Sequence, residues 1–226
     1  MRSLVLVIVA AVVVSNTADC QIDSTSPKAD PHISRAWIVP IAVVGSSTID
    51  GEMREWAQHS HSRSLDRVAH VINPLGTAHV LIPAMAIFYA GAALTDHVTA
   101  EHAAIETAGA YAASDVVESI LKPILGRQRP DVTGNSRRFH PFTRNGDWHS
   151  LPSAHVAHIT AIATAVSMAT DSHAIVSVCD GLVALVGWDR IYEDQHWTSD
   201  VTATAALSAV ISRAAVNWVA SRWNRH

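Results

Sequence analysis

The sequence predicts an all-α protein that folds as a single compact helical bundle domain. Apolar residues recur at helical spacing along most of the chain, and no convincing run of strand-like alternation interrupts them. The 226 residues are 49% hydrophobic and 16% charged, which suits one domain with a substantial core. The formal net charge of −4 argues against a nucleic-acid partner, because neutralising phosphates needs a clustered excess of Lys and Arg.

The first 20 residues have the composition of an export signal. One arginine precedes an apolar run from Leu4 to Val14, which is too short to span a bilayer, and small polar residues follow it. We therefore expect residues 1–20 to be a signal peptide, and the mature protein to be periplasmic or secreted. A lipid anchor on Cys20 is an alternative, although Asp19 directly before it fits a lipoprotein signal poorly.

The segment that follows is polar, and the helical pattern begins after it. Residues 21–35 contain Pro27 and Pro31 and are expected to form a flexible leader before a helical domain at residues 36–226. Ser153 and the pair Ser199-Asp200 stand where helix N-caps should be. The periodicity predicts six helices, at residues 52–72, 78–95, 100–121, 154–170, 173–187 and 200–222.

Several predicted helices are apolar enough to raise the question of membrane insertion. Residues 76–95 could nearly span a bilayer, but other helices carry Glu106, Asp180 or Arg213 near the middle, where a charge in a bilayer is costly. An integral protein with six spans would also exceed the mean hydropathy of +0.18. We therefore expect a buried, water-soluble helical core, and leave open a peripheral contact with a membrane.

Residues 122–152 break the helical pattern. Four prolines and three glycines exclude a regular element there, and a loop of this length in a compact domain is usually functional. Six basic residues against Asp131 and Asp147 give it a net charge of +4 (6 − 2) on an acidic chain. Such a loop indicates a site for a small anion such as phosphate, with a solvated charged surface as the plain alternative.

Three separate blocks of residues carry the chemistry. Their order and spacing resemble the signature of the phosphatidic acid phosphatase type 2 superfamily, which includes bacterial acid phosphatases, lipid phosphate phosphatases and vanadium haloperoxidases. Any one block is weak evidence, whereas all three in order are a specific signal. The blocks are Lys122 with Arg129-Pro130, then Pro152-Ser153-Ala154-His155, and last Arg190, His196 and Asp200.

The resemblance implies the helical fold of that superfamily and a set of groups that bind phosphate. Phosphoryl transfer spreads negative charge over three equatorial oxygens, and cations with fixed donors neutralise it. Lys122, Arg129 and Arg190 would supply the charge. Ser153 and the backbone N–H of Ala154 would add donors at a helix N-terminus, where the helix dipole favours an anion.

The resemblance also implies the catalytic roles. His196 would attack phosphorus and form a phosphohistidine, while Asp200 would accept a hydrogen bond from the other ring nitrogen of His196. His155 would protonate the leaving alcohol and then activate water. The implied enzyme is a metal-independent phosphatase acting on phosphate monoesters, lipid phosphates or pyrophosphates, with no cofactor and with vanadate as an inhibitor.

Two other functions remain open from the sequence. A membrane-associated lipid phosphate or isoprenyl pyrophosphate phosphatase is favoured by the apolar residues 76–95. A vanadium-dependent haloperoxidase would hold vanadate as its cofactor in the same cage of cations, although such enzymes tend to be much longer. The sequence does not predict the oligomeric state.

Each block also has a local explanation, and two positions depart from the family pattern. Lys122 could pair with Glu118, Arg190 with an adjacent acid, and Asp200 could cap a helix. The usual Gly of the second block is Ala154. The Ser that commonly precedes the third-block Arg is Asp189, which either orients Arg190 or weakens anion binding.

Overall fold

Eight α-helices make up most of the computed structural model, which describes residues 38–223. They are α1 (Ile38–Thr48), α2 (Asp50–His59), α3 (Arg63–Ile72), α4 (Ala78–Leu94), α5 (Val98–Leu125), α6 (Ala154–Met168), α7 (His173–Tyr192) and α8 (Thr198–Trp223). Two 3-10 turns lie at Asn73–Gly76 and Gly146–Trp148, and the described residues contain no β-strand. The all-α prediction is confirmed, whereas the predicted signal peptide, the leader and Cys20 lie outside the described residues.

Helices α5, α6 and α8 pack against one another in the middle of the bundle, and α7 packs on α6. Small side chains make part of this contact, where Ala110, Ala161 and Ala165 form a buried cluster with Val216. The Ser114 hydroxyl lies 3.0 Å from that of Ser208 and 3.1 Å from that of Ser212, which satisfies these buried polar groups inside the core. A larger aliphatic cluster, including Val156, Val183 and Val201, joins α6, α7 and α8.

Several predicted helix boundaries need correction. The single helix predicted at 52–72 is wrong, because α2 and α3 are separate and Ser62 caps α3 by accepting from the Leu65 amide at 3.3 Å. Helix α1 was not predicted. Helix α5 continues through Pro123 to Leu125, so the first residues of the predicted loop are helical.

Gly126 ends α5 and starts the loop that carries the first block. Its φ is +58°, and a Cβ there would lie 1.9 Å from the backbone oxygen of His140. Only glycine fits this turn, because a side chain would both strain the backbone and collide with the returning loop. The His140 amide donates to the Gly126 carbonyl at 2.7 Å, which closes the turn.

Helix α4 is not the buried helix that the sequence led us to expect. Only Leu81 and Ala92 are buried in it, while Ile87 is 73% exposed and Leu94 is 85% exposed. Among the described residues, α8 alone is long and apolar enough to cross a membrane by length and composition, with 33% of its apolar stretch buried. The segments Arg63–Gly76 and α4 meet that criterion together but bend by 57°.

Candidate active site

The three blocks meet at one end of the bundle, where α5 and α7 end and α6 and α8 begin. The pKa of His155 is lowered to about 4. Burial is the largest cause, and the charges of nearby groups add to it, in the order Arg190, His158, Lys122 and Arg129. Burial and the charges of Arg129, Lys122 and Arg190 hold the pKa of His196 well below its usual value. Because such fields weaken with distance, the charges of these three cations reach both imidazoles from nearby.

His196 is buried, and its protonation follows from its hydrogen bond. Its Nδ1 faces the backbone carbonyl oxygen of Ser150. A carbonyl oxygen only accepts, so Nδ1 carries the proton and Nε2 holds a lone pair in the neutral ring. The Ser150 carbonyl therefore selects the tautomer in which Nε2 can act as a nucleophile.

Asp200 does not make the predicted hydrogen bond with His196. One carboxylate oxygen accepts from the Ser150 hydroxyl at 2.5 Å and from the Trp197 amide at 2.9 Å, and the other accepts from Arg127. The capping alternative is therefore present, because Trp197 immediately precedes α8. Asp200 supports His196 indirectly by holding Ser150. Burial raises the pKa of Asp200 to about 6, and Arg127 limits that rise.

Arg127 is a buried residue that joins several partners and is called the buried hub below. The sequence assigned it only to a basic loop. Its guanidinium donates to the Ser199 hydroxyl at 2.8 Å, to Asp50 at 2.8 Å and to Asp200. Asp50 also accepts from the Ser199 amide at 2.8 Å, which ties the start of α2 to the start of α8. The hub fixes the first turn of α8, in which Asp200 lies.

Two buried donors near the histidines lack a hydrogen-bond partner among the described residues, although Nη1 of Arg129 pairs with the side-chain oxygen of Gln195. Ser153 is fully buried at the start of α6, and neither its hydroxyl nor Nε of Arg129 has a hydrogen-bond partner within residues 38–223. The amide of Ala154 belongs to the first turn of α6, where amides lack acceptors within the helix. The extra methyl of Ala154 does not block this arrangement, because its backbone is helical.

Arg190 is oriented by two acceptors on the buried side of the site. Its Nε donates to Asp189 at 2.9 Å, and its Nη2 donates to the side-chain oxygen of Asn73 at 2.8 Å. Of the two roles considered for Asp189, the orienting one is found. Burial raises the pKa of Asp189, and the adjacent Arg190 opposes that rise. Lys122 likewise pairs with Glu118. The local ion pairs considered from the sequence are therefore present, and they do not prevent these cations from lying near the two histidines.

His155 lies against a turn that the sequence reading missed. Its Nε2 is 3.2 Å from the side-chain oxygen of Asn73. A Cβ added to Gly76 would lie 2.6 Å from Cβ of His155, so this turn and the first turn of α6 are in direct contact. No local signal identifies Asn73 or Gly76, since their partners lie about 80 to 120 residues further along the chain.

The aromatic residues of the loop are divided between packing and exposure. His149 Nε2 lies 3.0 Å from the Thr143 carbonyl, and Trp148 packs between His140 and Arg138, so these two support the loop. Phe142 is exposed. Among the described residues, no three His, Cys, Asp or Glu side chains come together as a metal-binding group.

Comparisons with known proteins identify the family of the chain and its fold. The sequence profile described as PAP2 superfamily matches residues 103–224. The fold is similar to that of LpxE from Aquifex aeolicus, with a TM-score of 0.62, 20% identity, and coverage of 75% of this chain and 95% of that one. No curated protein matches the sequence.

A second solved structure has a similar fold. It is described as the first transmembrane PAP2 type phosphatidylglycerolphosphate phosphatase from Bacillus subtilis. The TM-score is 0.64 at 18% identity, and the similarity covers 82% of this chain and 94% of that one. At these identities the two likenesses describe the fold.

Proposed function

Because the chain belongs to the PAP2 superfamily, whose profile covers more than half of it, we propose that it is a phosphatase that hydrolyses phosphate esters through a phosphohistidine at His196. The observation that carries this proposal is the hydrogen bond between Nδ1 of His196 and the Ser150 carbonyl. It leaves a lone pair on Nε2 of a buried neutral ring, beside three cations that attract the phosphate.

The reaction has two steps that balance without a metal ion or other cofactor. In the first, Nε2 of His196 forms a bond to phosphorus and the ester P–O bond breaks, while His155, which enters this step as the imidazolium, gives a proton to the leaving oxygen and becomes neutral. In the second, His155 takes a proton from water, the water oxygen attacks phosphorus, and the N–P bond breaks. Inorganic phosphate leaves, and His196 is neutral again.

The surrounding donors supply transition-state stabilisation. Lys122, Arg129 and Arg190 balance the charge of the equatorial oxygens, and the Ser153 hydroxyl and the Ala154 amide add fixed dipoles. Each preorganised donor contributes about 3–4 kcal/mol, by analogy with deletions of oxyanion-hole donors. The cations also lower the pKa of His155 to about 4, and a bound phosphate dianion opposes that effect.

A lipid phosphate is the substrate class that the molecular surface favours over a small soluble ester. Helix α4 exposes the large apolar side chains of Ile87, Phe88 and Leu94, and α8 exposes Trp218. An apolar surface of this kind fits contact with a membrane in which a lipid substrate resides. The description of the relative from Bacillus subtilis as a transmembrane phosphatidylglycerolphosphate phosphatase supports the same choice. Export to a periplasm remains a prediction from the N-terminal sequence.

The decisive experiment traps the covalent intermediate. A ³²P-labelled substrate is mixed with the protein, the reaction is quenched in alkali, and the label is followed on the chain. We expect an acid-labile, alkali-stable phosphoprotein that is absent from His196→Ala, together with loss of turnover by that variant. His173→Ala is the matched control, because His173 is exposed at the start of α7. Hydrolysis by His196→Ala at the wild-type rate would contradict the proposal.

The substrate class is tested separately. Purified protein is assayed on a lipid phosphate in mixed micelles and on a soluble phosphate monoester of matched leaving group. We expect a higher kcat/KM on the lipid, and detergent to be needed for extraction from membranes. Release by osmotic shock, with preference for the soluble ester, would contradict the membrane-associated assignment and leave the His196 chemistry intact.

A further inference from the structure

We propose that Asn73 is a positioning residue for the acid step, because its side-chain oxygen holds both Arg190 and the Nε2 proton of His155. The inference rests on the proposed function and adds to it a residue outside the three blocks. Asn73 also lies before residues 103–224, the part of the chain that the family profile matches.

The partners of Asn73 identify its atoms. The guanidinium of Arg190 can only donate, so the atom 2.8 Å from its Nη2 is the amide oxygen of Asn73. That oxygen can only accept, so Nε2 of His155, 3.2 Å away, carries a proton. This holds whether the His155 ring is neutral or protonated on both nitrogens.

The two histidines are therefore set to use different ring nitrogens. Ser150 holds the Nδ1 proton of His196 and leaves a lone pair on Nε2, whereas Asn73 holds the Nε2 proton of His155 and leaves Nδ1 to exchange a proton with the leaving group. Nδ1 of His155 gives a proton when the ring is cationic and takes one when the ring is neutral, as an acid that later acts as a base must. Arg190 shares the Asn73 oxygen, so one amide orients both the acid and a cation that binds phosphate.

The turn that carries Asn73 is fixed against α6. Gly76 lies so close to His155 that a Cβ there would be 2.6 Å from Cβ of His155. The Gly76 carbonyl accepts from Nδ1 of His158 at 3.2 Å, one turn further along α6. Contacts at both ends of Asn73–Gly76 thus hold the amide in place, and the His155 ring cannot turn without breaking one of them.

Leaving-group dependence separates an acid-positioning role from a structural one. A leaving group of low pKa departs without protonation, whereas an alkoxide needs the proton from His155. We expect Asn73→Ala to lower kcat/KM, which reports formation of the phosphohistidine and not its hydrolysis, about 100-fold for alkyl phosphates and less than about 10-fold for 2,4-dinitrophenyl phosphate. His155→Ala should show the same steep dependence. The ratio between the two substrates should be the same in the double variant as in His155→Ala, because any further loss through Arg190 is common to both substrates.

Two further variants sharpen the test. Asn73→Asp keeps an acceptor for both partners, so we expect kcat to recover and KM to rise because a carboxylate repels phosphate. Asn217→Ala, at an exposed position of α8, is the matched control and should leave every rate unchanged. Partial unfolding of Asn73→Ala would lower all rates by one factor, so the ratio between substrates still reports the role.

The outcomes are distinct for the two proposals. An equal loss on all substrates in Asn73→Ala, or a substrate ratio that changes further in the double variant than in His155→Ala, would overturn the role of Asn73 while the phosphatase remains. Activity in His196→Ala would overturn the phosphohistidine chemistry itself. A flat leaving-group dependence in His155→Ala would overturn both the acid role of His155 and its positioning by Asn73.

Discussion

Replacing Arg127 with methionine tests whether the buried hub holds the site together. The substitution keeps an unbranched side chain of moderate length but leaves Asp50 and Asp200 without their shared cation. Removing one partner of a buried ion pair costs about 3–5 kcal/mol, because the remaining charge stays desolvated. We expect Arg127→Met to lower the free energy of unfolding by about that amount.

The loss of unfolding free energy in Arg127→Met should be larger at high pH than at low pH. Burial raises the pKa of Asp200 from its ordinary 3.8 to about 6, so the folded state binds more protons than the unfolded state between these values, and stability falls as pH rises through them. Without Arg127 the pKa of Asp200 rises further, and the window extends to higher pH. Each additional unit adds about 1.4 kcal/mol to the loss at pH 8 relative to pH 5.

The assay is urea unfolding followed by circular dichroism at pH 5 and pH 8, in one detergent condition throughout. Arg137→Met is the matched control, because Arg137 is exposed in the same loop, and its effect should stay within about 0.5 kcal/mol. A loss in Arg127→Met no larger than that of the control, or equal at both pH values, would refute the reasoning.

Three further predictions concern activity and electrostatics at the site. Gly76→Ala should lower kcat about 10- to 100-fold in steady-state assays, because its Cβ must displace His155 from 2.6 Å, whereas Gly91→Ala, with nothing within 4 Å, should not. Orthovanadate should inhibit competitively, because it imitates five-coordinate phosphorus. Arg190→Gln should raise the inhibition constant of orthovanadate at least tenfold. Equal inhibition of the wild type and the variant would contradict the proposed binding of phosphate by Arg190. Lys122→Gln should raise the pKa of His155 from about 4, since one repelling cation is gone; an NMR titration of the ring that shows no shift or a fall would contradict this.

That the three blocks come together could be predicted from the sequence, because the family signature is a pattern of local spacings. The charges of Lys122, Arg129 and Arg190 reach both histidines, whereas the chemical roles of these residues stay predictions. Periodicity also located five of the eight helices closely. The break at Ser60–Ser62 was missed because polar residues there continue the helical pattern on the exposed side.

The supporting contacts could not be predicted, because nothing local marks them. Arg127 resembles any other basic residue of its loop until the fold brings Asp50 against it from 77 residues away. Asp200 was expected at the His196 ring, but it lies in the first turn of α8, where its carboxylate accepts from the Trp197 amide instead. Exposure of α4 was also missed, since an apolar sequence alone does not say what covers it.

The contacts of Asp50 and Asn73 bear on how such an enzyme can change over evolutionary time. Both side chains come from the first half of the chain, yet their partners are Arg127, Arg190 and His155 in the second half. A chimera that joins residues 103–224 to the preceding helices of another protein would carry the complete signature. We expect it to keep the site only when the residues at positions 50 and 73 can make these contacts.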